Sequence, residues 1–381
     1  MRARKRIMLA FGTRPEAIKM APVHRALRAR PDAFEALCCV TAQHRRMLDQ
    51  VLQTFDMVPD VDLDLMRSGQ DITDVNVGVL SGMRTVLREA RPDLVLVHGD
   101  TTTSMGCALA AFYAGIAVGH VEAGLRSGDL RAPFPEELNR RVTTIVAKYH
   151  FAPTETNRAN LLADGCDPAA VVVTGNTVVD ALTHVLARID DSPSICRSIE
   201  DCLETALGFD WRTSRYVLVT CHRRETFAAG LHEICSALED LAQAFSDTHF
   251  VYPLHLNPAV REPVSTRLTG LPNVHLIEPL PYDAFVYALR NCYCVLTDSG
   301  GLQEEGPCLK KPVLVMRNVT ERPEAVAAGA VKLLGTGRDG IVSAMSALLT
   351  ERRAYERMAE ATNPFGDGTA GERIADFLNR I

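Results

Sequence analysis

The residues best suited to chemistry cluster at a few sharp turns. The most informative is Asp298-Ser299-Gly300-Gly301-Leu302-Gln303-Glu304-Glu305. It follows the apolar run Cys294-Val295-Leu296-Thr297, which reads as a buried strand, and leads into a helical segment. Two glycines at a strand-to-helix turn let backbone N–H groups approach an anion, and the helix N-terminus adds partial positive charge. Ser299 adds a hydroxyl donor, and the Glu305 carboxylate can accept hydrogen bonds from a ribose. A nucleotide diphosphate suits this arrangement. An ordinary glycine-rich strand-to-helix turn suits these residues equally well on their own.

Acids gather in the first half. Apolar runs ending at Phe11, His98 and Val121 lead into Gly12-Thr13-Arg14-Pro15-Glu16 (with Lys19 close behind), Gly99-Asp100-Thr101-Thr102 and Glu122-Ala123-Gly124-Leu125-Arg126. A loop then carries Pro133-Phe134-Pro135-Glu136-Glu137. Asp100, Glu122 and Glu136 can converge, with Arg14 and Lys19 facing them or a phosphate. Three carboxylates whose pKa values are split by burial and mutual repulsion can remove and return a proton. Plainer roles stand beside this one. Asp100 before three threonines can be a helix N-cap, and Glu136 and Glu137 match the dipole of a first helical turn. Glu122 is harder to explain structurally, because a carboxylate straight after a buried strand is costly unless paired or solvated.

In the second half, Tyr216–Thr220 ends in Cys221-His222-Arg223-Arg224-Glu225. A histidine with two arginines binds anions or moves protons, or the charges simply pair on a surface loop. Cys221 and His222 do not read as a nucleophile pair, since adjacent residues on an extended strand point to opposite faces. Pro253-Leu254-His255-Leu256-Asn257-Pro258 is another polar strand end, and Thr320-Glu321-Arg322-Pro323-Glu324 brings an arginine towards the Ser-Gly-Gly turn. GxxxxGK[ST], GxSxG and HExxH are all missing. No metal and no separately held cofactor are expected.

The elements that position these residues alternate. Apolar runs at 7–11, 36–41, 94–98, 117–121, 150–152 and 171–174 are separated by helical patterns at 22–30, 45–55, 72–89 and 103–114. Pro22 suits a first helical turn, which leaves 15–21 as an irregular loop. A helix over 176–189 and a polar connection over 190–194 precede a second series, with strands at 216–220, 249–253, 274–277, 294–297 and 312–316. Runs buried on both faces, alternating with helices, mean parallel sheets covered by helices. The expected fold is α/β, with two doubly wound Rossmann-like domains facing across a cleft. Residues 1–176 form the first, 177–364 the second, and a helix near 365–381 packs back on the first. In such sheets ligands bind beyond the carboxyl ends of the strands.

The bulk numbers agree. A length of 381 residues suggests two domains, and 47% apolar with 23% charged residues is a globular composition. A net charge of −6 argues against a general nucleic-acid binder. Eleven cysteines in apolar runs, without CxxC, read as free thiols of a cytoplasmic protein. The basic start before Ile7–Phe11 has too short an apolar run for a signal peptide, and no run is long enough to span a bilayer.

Taken in order, Gly12-Thr13-Arg14-Pro15-Glu16-Ala17, His98-Gly99-Asp100-Thr101-Thr102, Gly119 to Arg126, Pro133 to Glu137, His222-Arg223-Arg224-Glu225, Asp298 to Gly301 and Glu321-Arg322-Pro323-Glu324 match one family. From about Ile7 to its C-terminus the chain resembles the non-hydrolysing UDP-N-acetylglucosamine 2-epimerases. It is most similar to bacterial members that supply N-acetylmannosamine for surface polysaccharides. The resemblance implies a GT-B-like fold, a homodimer and interconversion of UDP-GlcNAc and UDP-ManNAc without a cofactor. The family mechanism eliminates UDP to give 2-acetamidoglucal, then adds it back after reprotonation on the other face of C2. The matching catalytic positions are Asp100, Glu122, Glu136 and His222. The matching nucleotide positions are Arg14, Lys19, Phe285, Ser299, Gly300, Gly301, Glu305 and Arg322, with backbone near Leu280 for the uracil. Gln43, His44, Glu136, Arg223 and His255 match the site at which some members bind a second, activating UDP-GlcNAc. Cys221 departs from the small or apolar residue expected before the histidine, and Arg46 and Gly69 stand where activator-dependent members can carry Gln and Arg. The alternatives are a hydrolysing epimerase, a GT-B glycosyltransferase and a non-enzymatic sensor. Three acids near the sugar favour the epimerase.

Overall fold

The computed structural model describes residues 4–42, 45–67, 69–221 and 229–381. They divide into two compact units, Met1–Thr183 with Phe365–Ile381, and His184–Pro364.

The first unit is built on seven parallel strands: β1 (Lys5–Phe11), β2 (Phe34–Val40), β3 (Val61–Asp62), β4 (Leu94–His98), β5 (Ala117–Val121), β6 (Tyr149–Ala152) and β7 (Val171–Val173). Their order is β3-β2-β1-β4-β5-β6-β7, so the winding reverses between β1 and β4. Runs such as Leu94-Val95-Leu96-Val97 are buried on both faces, as a helix-covered parallel strand must be. On one face Met8, Ala10, Val95, Val97 and Val118 pack against Val79, Met83, Cys107 and Ala111 of the covering helices.

The second unit has six parallel strands: β8 (Arg215–Thr220), β9 (Thr248–Pro253), β10 (Val274–Ile277), β11 (Cys294–Thr297), β12 (Val313–Val315) and β13 (Val331–Leu333). Their order is β10-β9-β8-β11-β12-β13, and the reversal falls between β8 and β11. There Thr220 and Thr297 stand in register and their hydroxyls hydrogen-bond at 2.6 Å. The α/β class with two parallel sheets is as expected. The short strands β3 and β13 were not anticipated.

Two local readings differ. The first helix runs Arg14–Arg28, so residues 15–21 are helical and Pro22 is interior. Thr13 and Glu16 close a reciprocal capping box, with Pro15 in the first turn. An interior proline costs about 3 kcal/mol, whereas each buried large aliphatic returns about 1.5–3 kcal/mol. Ile18, Met20, Val23 and Leu27 are all buried on this helix, so the helix wins. The polar stretch 190–194 is also mostly helical. One helix ends at Asp191, Ser192 marks the break, and Pro193 opens a second helix to Leu207. Ile199, Leu203 and Leu207 give that second helix its buried stripe.

The last helix, Ala370–Arg380, belongs to the first unit. Asp180 Oδ1 accepts the Gly371 N–H at 2.8 Å, and Phe377 packs edge-on to Phe151. Gly371 has no room for a side chain, because a Cβ would lie 2.8 Å from the Pro22 carbonyl oxygen.

Candidate active site

Each reversal of winding carries one group of polar residues. In the first unit the loops after β1 and β4 are tied together by Glu16. This buried carboxylate accepts the N–H groups of Gly12 (3.0 Å) and Thr13 (2.8 Å) and the hydroxyls of Thr101 (2.6 Å) and Ser104 (2.7 Å). Its bonds join neighbouring loops across more than eighty residues of chain, which sequence spacing alone does not reveal.

Glu122 follows β5 directly and adopts a left-handed backbone, φ +63°. Such a conformation is uncommon outside glycine and is found at functional sites. Its side chain is buried and ion-paired with Lys19. The same Oε2 accepts Asn176 Nδ2 at 3.1 Å, and His98 Nε2 stands 3.8 Å away. Lys19, expected beside the nucleotide, is therefore held at the acid, and its ammonium neutralises a carboxylate that burial would otherwise make costly.

Asp100 is not the helix cap. Thr101 takes that place, accepting the Ser104 N–H at 3.0 Å. The Asp100 carboxylate is half-buried and pairs with Arg140, while its carbonyl accepts Asn139 Nδ2 at 2.9 Å. Asn139 and Arg140 lie on helix Glu136–Val146, whose first residue is Glu136. Gly99 connects Asp100 to Glu122, since a Cβ there would lie 3.5 Å from Glu122 Oε1. Asp100 and Glu122 thus share one edge of the sheet, with Glu136 one turn from the residues that grip Asp100. Glu137 has a different role. It is fully buried, accepts the Ser127 N–H at 3.0 Å, and pairs with Arg140 (3.2 Å) and Arg141 (3.3 Å). Arg14 opens its helix, half-buried.

In the second unit Ser299, Gly300 and Gly301 follow β11 and precede helix Leu302–Cys308. Within the turn the Ser299 N–H donates to Thr297 Oγ1 (2.8 Å), and the Gln303 and Glu304 N–H groups donate to the Gly300 (3.2 Å) and Gly301 (2.9 Å) carbonyls. Gln303 Nε2 donates to the Ser299 carbonyl at 3.1 Å, and Gln303 Oε1 accepts the Thr320 hydroxyl at 2.6 Å. Arg322 Nε donates to Glu304 Oε1 at 2.6 Å, and Glu321 is shared between Arg322 (3.5 Å) and Arg317 (3.1 Å). This buried set of two guanidiniums and two carboxylates braces the turn. Of its members only Arg322 was singled out in the sequence as a site residue. The Arg317–Glu321 spacing of four residues was the one local signal for the rest. Glu305 is buried and accepts the Tyr282 hydroxyl at 3.2 Å. Leu280, buried, and Phe285, half-buried, flank the start of the Tyr282 helix.

Cys221 and Asp298 directly follow β8 and β11. The thiol is pushed well above its ordinary range, first by burial and then by Asp298, and is no nucleophile. His255, exposed after β9, accepts the Asn257 N–H at 3.1 Å and feels the Asp298 charge. His222, Arg223, Gln43 and His44 lie outside the described residues.

The family model described as UDP-N-acetylglucosamine 2-epimerase matches residues 25–379. The chain belongs to the UDP-N-acetylglucosamine 2-epimerase family. It is 52% identical to the UDP-N-acetylglucosamine 2-epimerase of Yersinia pestis over 98% of each chain. The crystal structure of the Neisseria meningitidis UDP-GlcNAc 2-epimerase bound to UDP-GlcNAc matches with TM-score 0.94 and 45% identity, over 99% of this chain and 100% of that one. A glycotransferase of kitacinnamycin shares the fold alone, with TM-score 0.63 at 16% identity over 99% of both chains. The GT-B-like fold expected of an epimerase of this family is therefore present.

Proposed function

We propose that this epimerase interconverts UDP-GlcNAc and UDP-ManNAc by expelling UDP, keeping 2-acetamidoglucal bound, and adding UDP back after the C2 proton returns on the other face. The observation that carries this reading is the buried, left-handed Glu122 gripped by Lys19 and Asn176 beside an arginine-held Asp100. Fixed carboxylates of that kind suit proton transfer at a weakly acidic carbon, where positioned acids and bases each give about 10²–10⁴-fold.

In this reading Asp100, Glu122, Glu136 and His222 share the acid–base work. The N–H groups of Gly300 and Gly301 and the Ser299 hydroxyl hold the diphosphate, with Arg14 and Arg322 supplying positive charge. Glu305 takes the ribose, and Leu280 and Phe285 take the uracil. Placed charge around the diphosphate stabilises the leaving group.

The eleven cysteines are free thiols, which fits a reducing cytoplasm. We infer a homodimer from helix Ile72–Ala90. One outer face exposes Val77 and Ser81, with Asp74 near the start and Arg84 and Arg88 near the end. Two copies laid antiparallel match Asp74 of one to Arg88 of the other, with Val77 between. Sedimentation of V77D as monomer, and of the unaltered chain as dimer, is expected; a monomeric unaltered chain contradicts it.

UDP-GlcNAc with isotopically heavy oxygen in the bridge between C1 and the β-phosphorus tests the mechanism. The label should scramble into the non-bridging β-phosphate oxygens while both epimers are present. UDP-ManNAc formed with the label wholly retained in the bridge contradicts expulsion of UDP, and steady accumulation of free ManNAc indicates hydrolysis.

A further inference from the structure

His120 lies in β5, fully buried, with Nε2 2.7 Å from the Gly99 carbonyl oxygen. A carbonyl only accepts, so Nε2 carries the hydrogen. Nδ1 has no partner among the described residues. Burial pushes the imidazole down to about 3, against the opposing Gly99 bond, so the ring stays neutral near neutral pH. An unpaired buried acceptor costs stability, and an apolar side chain would avoid that cost. Its register neighbours are Val97 on β4 and His150 on β6. What distinguishes His120 is the bond to Gly99.

Gly99 is left-handed, φ +65°, and its N–H donates to the Val121 carbonyl at 2.9 Å. The next residue is Asp100. A peptide plane following a glycine can rotate at little steric cost, and rotation here would re-aim the Asp100 side chain. The helix side is held by Asn139 and Arg140. On the sheet side the Gly99 carbonyl is held by His120. We propose that His120 is a positioning residue, fixing the Gly99–Asp100 peptide so that the Asp100 carboxylate keeps its place beside Glu122. This rests on the acid–base reading of Asp100.

The test compares kcat and KM of H120F, H120Q and H120N for UDP-GlcNAc, with thermal unfolding of each. Phe fills the ring volume without a donor. Gln puts an amide N–H near the position of Nε2, and Asn is too short to reach. H120F should lose about 10²-fold in kcat, the scale of a small misplacement of a catalytic group, with little change in KM. H120Q should recover most of that loss. Wild-type kcat per folded molecule in H120F overturns the proposal. If H120F does not fold, H120Q must be far more active than H120N at similar stability, and equal kcat values overturn it. D100N in the same assay separates the two readings. Wild-type kcat in D100N defeats the acid–base role of Asp100, whereas a dead D100N with an unimpaired H120F defeats only the role of His120.

Discussion

Lys19 and Glu122 form a buried ion pair across the switch point of the N-terminal sheet, joining the first helix to the residue directly after β5. Removing one member of a buried pair leaves an uncompensated charge and typically costs about 3–5 kcal/mol. K19M should therefore destabilise the protein on that scale and stop turnover. K19M/E122Q should regain much of the stability and none of the activity. Denaturant unfolding and kcat measured on the two variants check both halves.

Glu136 and Glu137 are neighbours for which the proposed mechanism expects opposite roles. E136Q should keep its thermal midpoint and lose about 10²–10⁴-fold in kcat, as expected of a positioned acid or base. E137Q should lose stability, because it weakens a fully buried carboxylate held by Arg140, Arg141 and the Ser127 N–H. Similar thermal midpoints for the two variants would contradict the division.

Gly301 tests the diphosphate turn. Its backbone is right-handed, φ −62°, and among the described residues a Cβ would meet Ser299 Oγ at 3.9 Å and Glu305 Oε2 at 4.0 Å. G301A should leave stability within about 1 kcal/mol, since alanine suits that conformation. The methyl group would nonetheless occupy the approach of the phosphates. Calorimetry should show weakened UDP binding; unchanged UDP affinity would remove Gly301 from the site.

Acid should loosen the first unit through its buried histidines. Burial, then Arg28, pushes His24 from 6.5 down to about 4, against the pull of Asp60. The unfolded chain takes up this proton near pH 6.5 and the folded chain only near 4. Between those values the unfolded state binds more protons, so stability falls as pH falls. The thermal midpoint of H24L should gain on that of the unaltered protein across this window and no further below it. A constant difference from pH 7 to 4 would contradict the assignment.

Much of this was legible in the chain. Strands buried on both faces announce themselves as unbroken apolar runs, and the switch-point rule then selects Asp100, Glu122 and the Ser299 turn. Pro22 concealed the true start of the first helix, because interior burial outweighs a local rule. The two-residue β3 carries too little pattern to be seen. The bonds by which Glu16 reaches Thr101 and Ser104, Asn176 reaches Glu122, Arg140 reaches Asp100 and His120 reaches Gly99 join residues far apart in sequence, where spacing carries no signal.

The central claim is that enzyme acids remove and return the C2 proton while UDP leaves and comes back. The direct measurement is NMR of UDP-GlcNAc incubated with the protein in D₂O. Deuterium entering C2 of both UDP-GlcNAc and UDP-ManNAc as they interconvert is the expected result. Interconversion with the C2 proton retained would contradict the account.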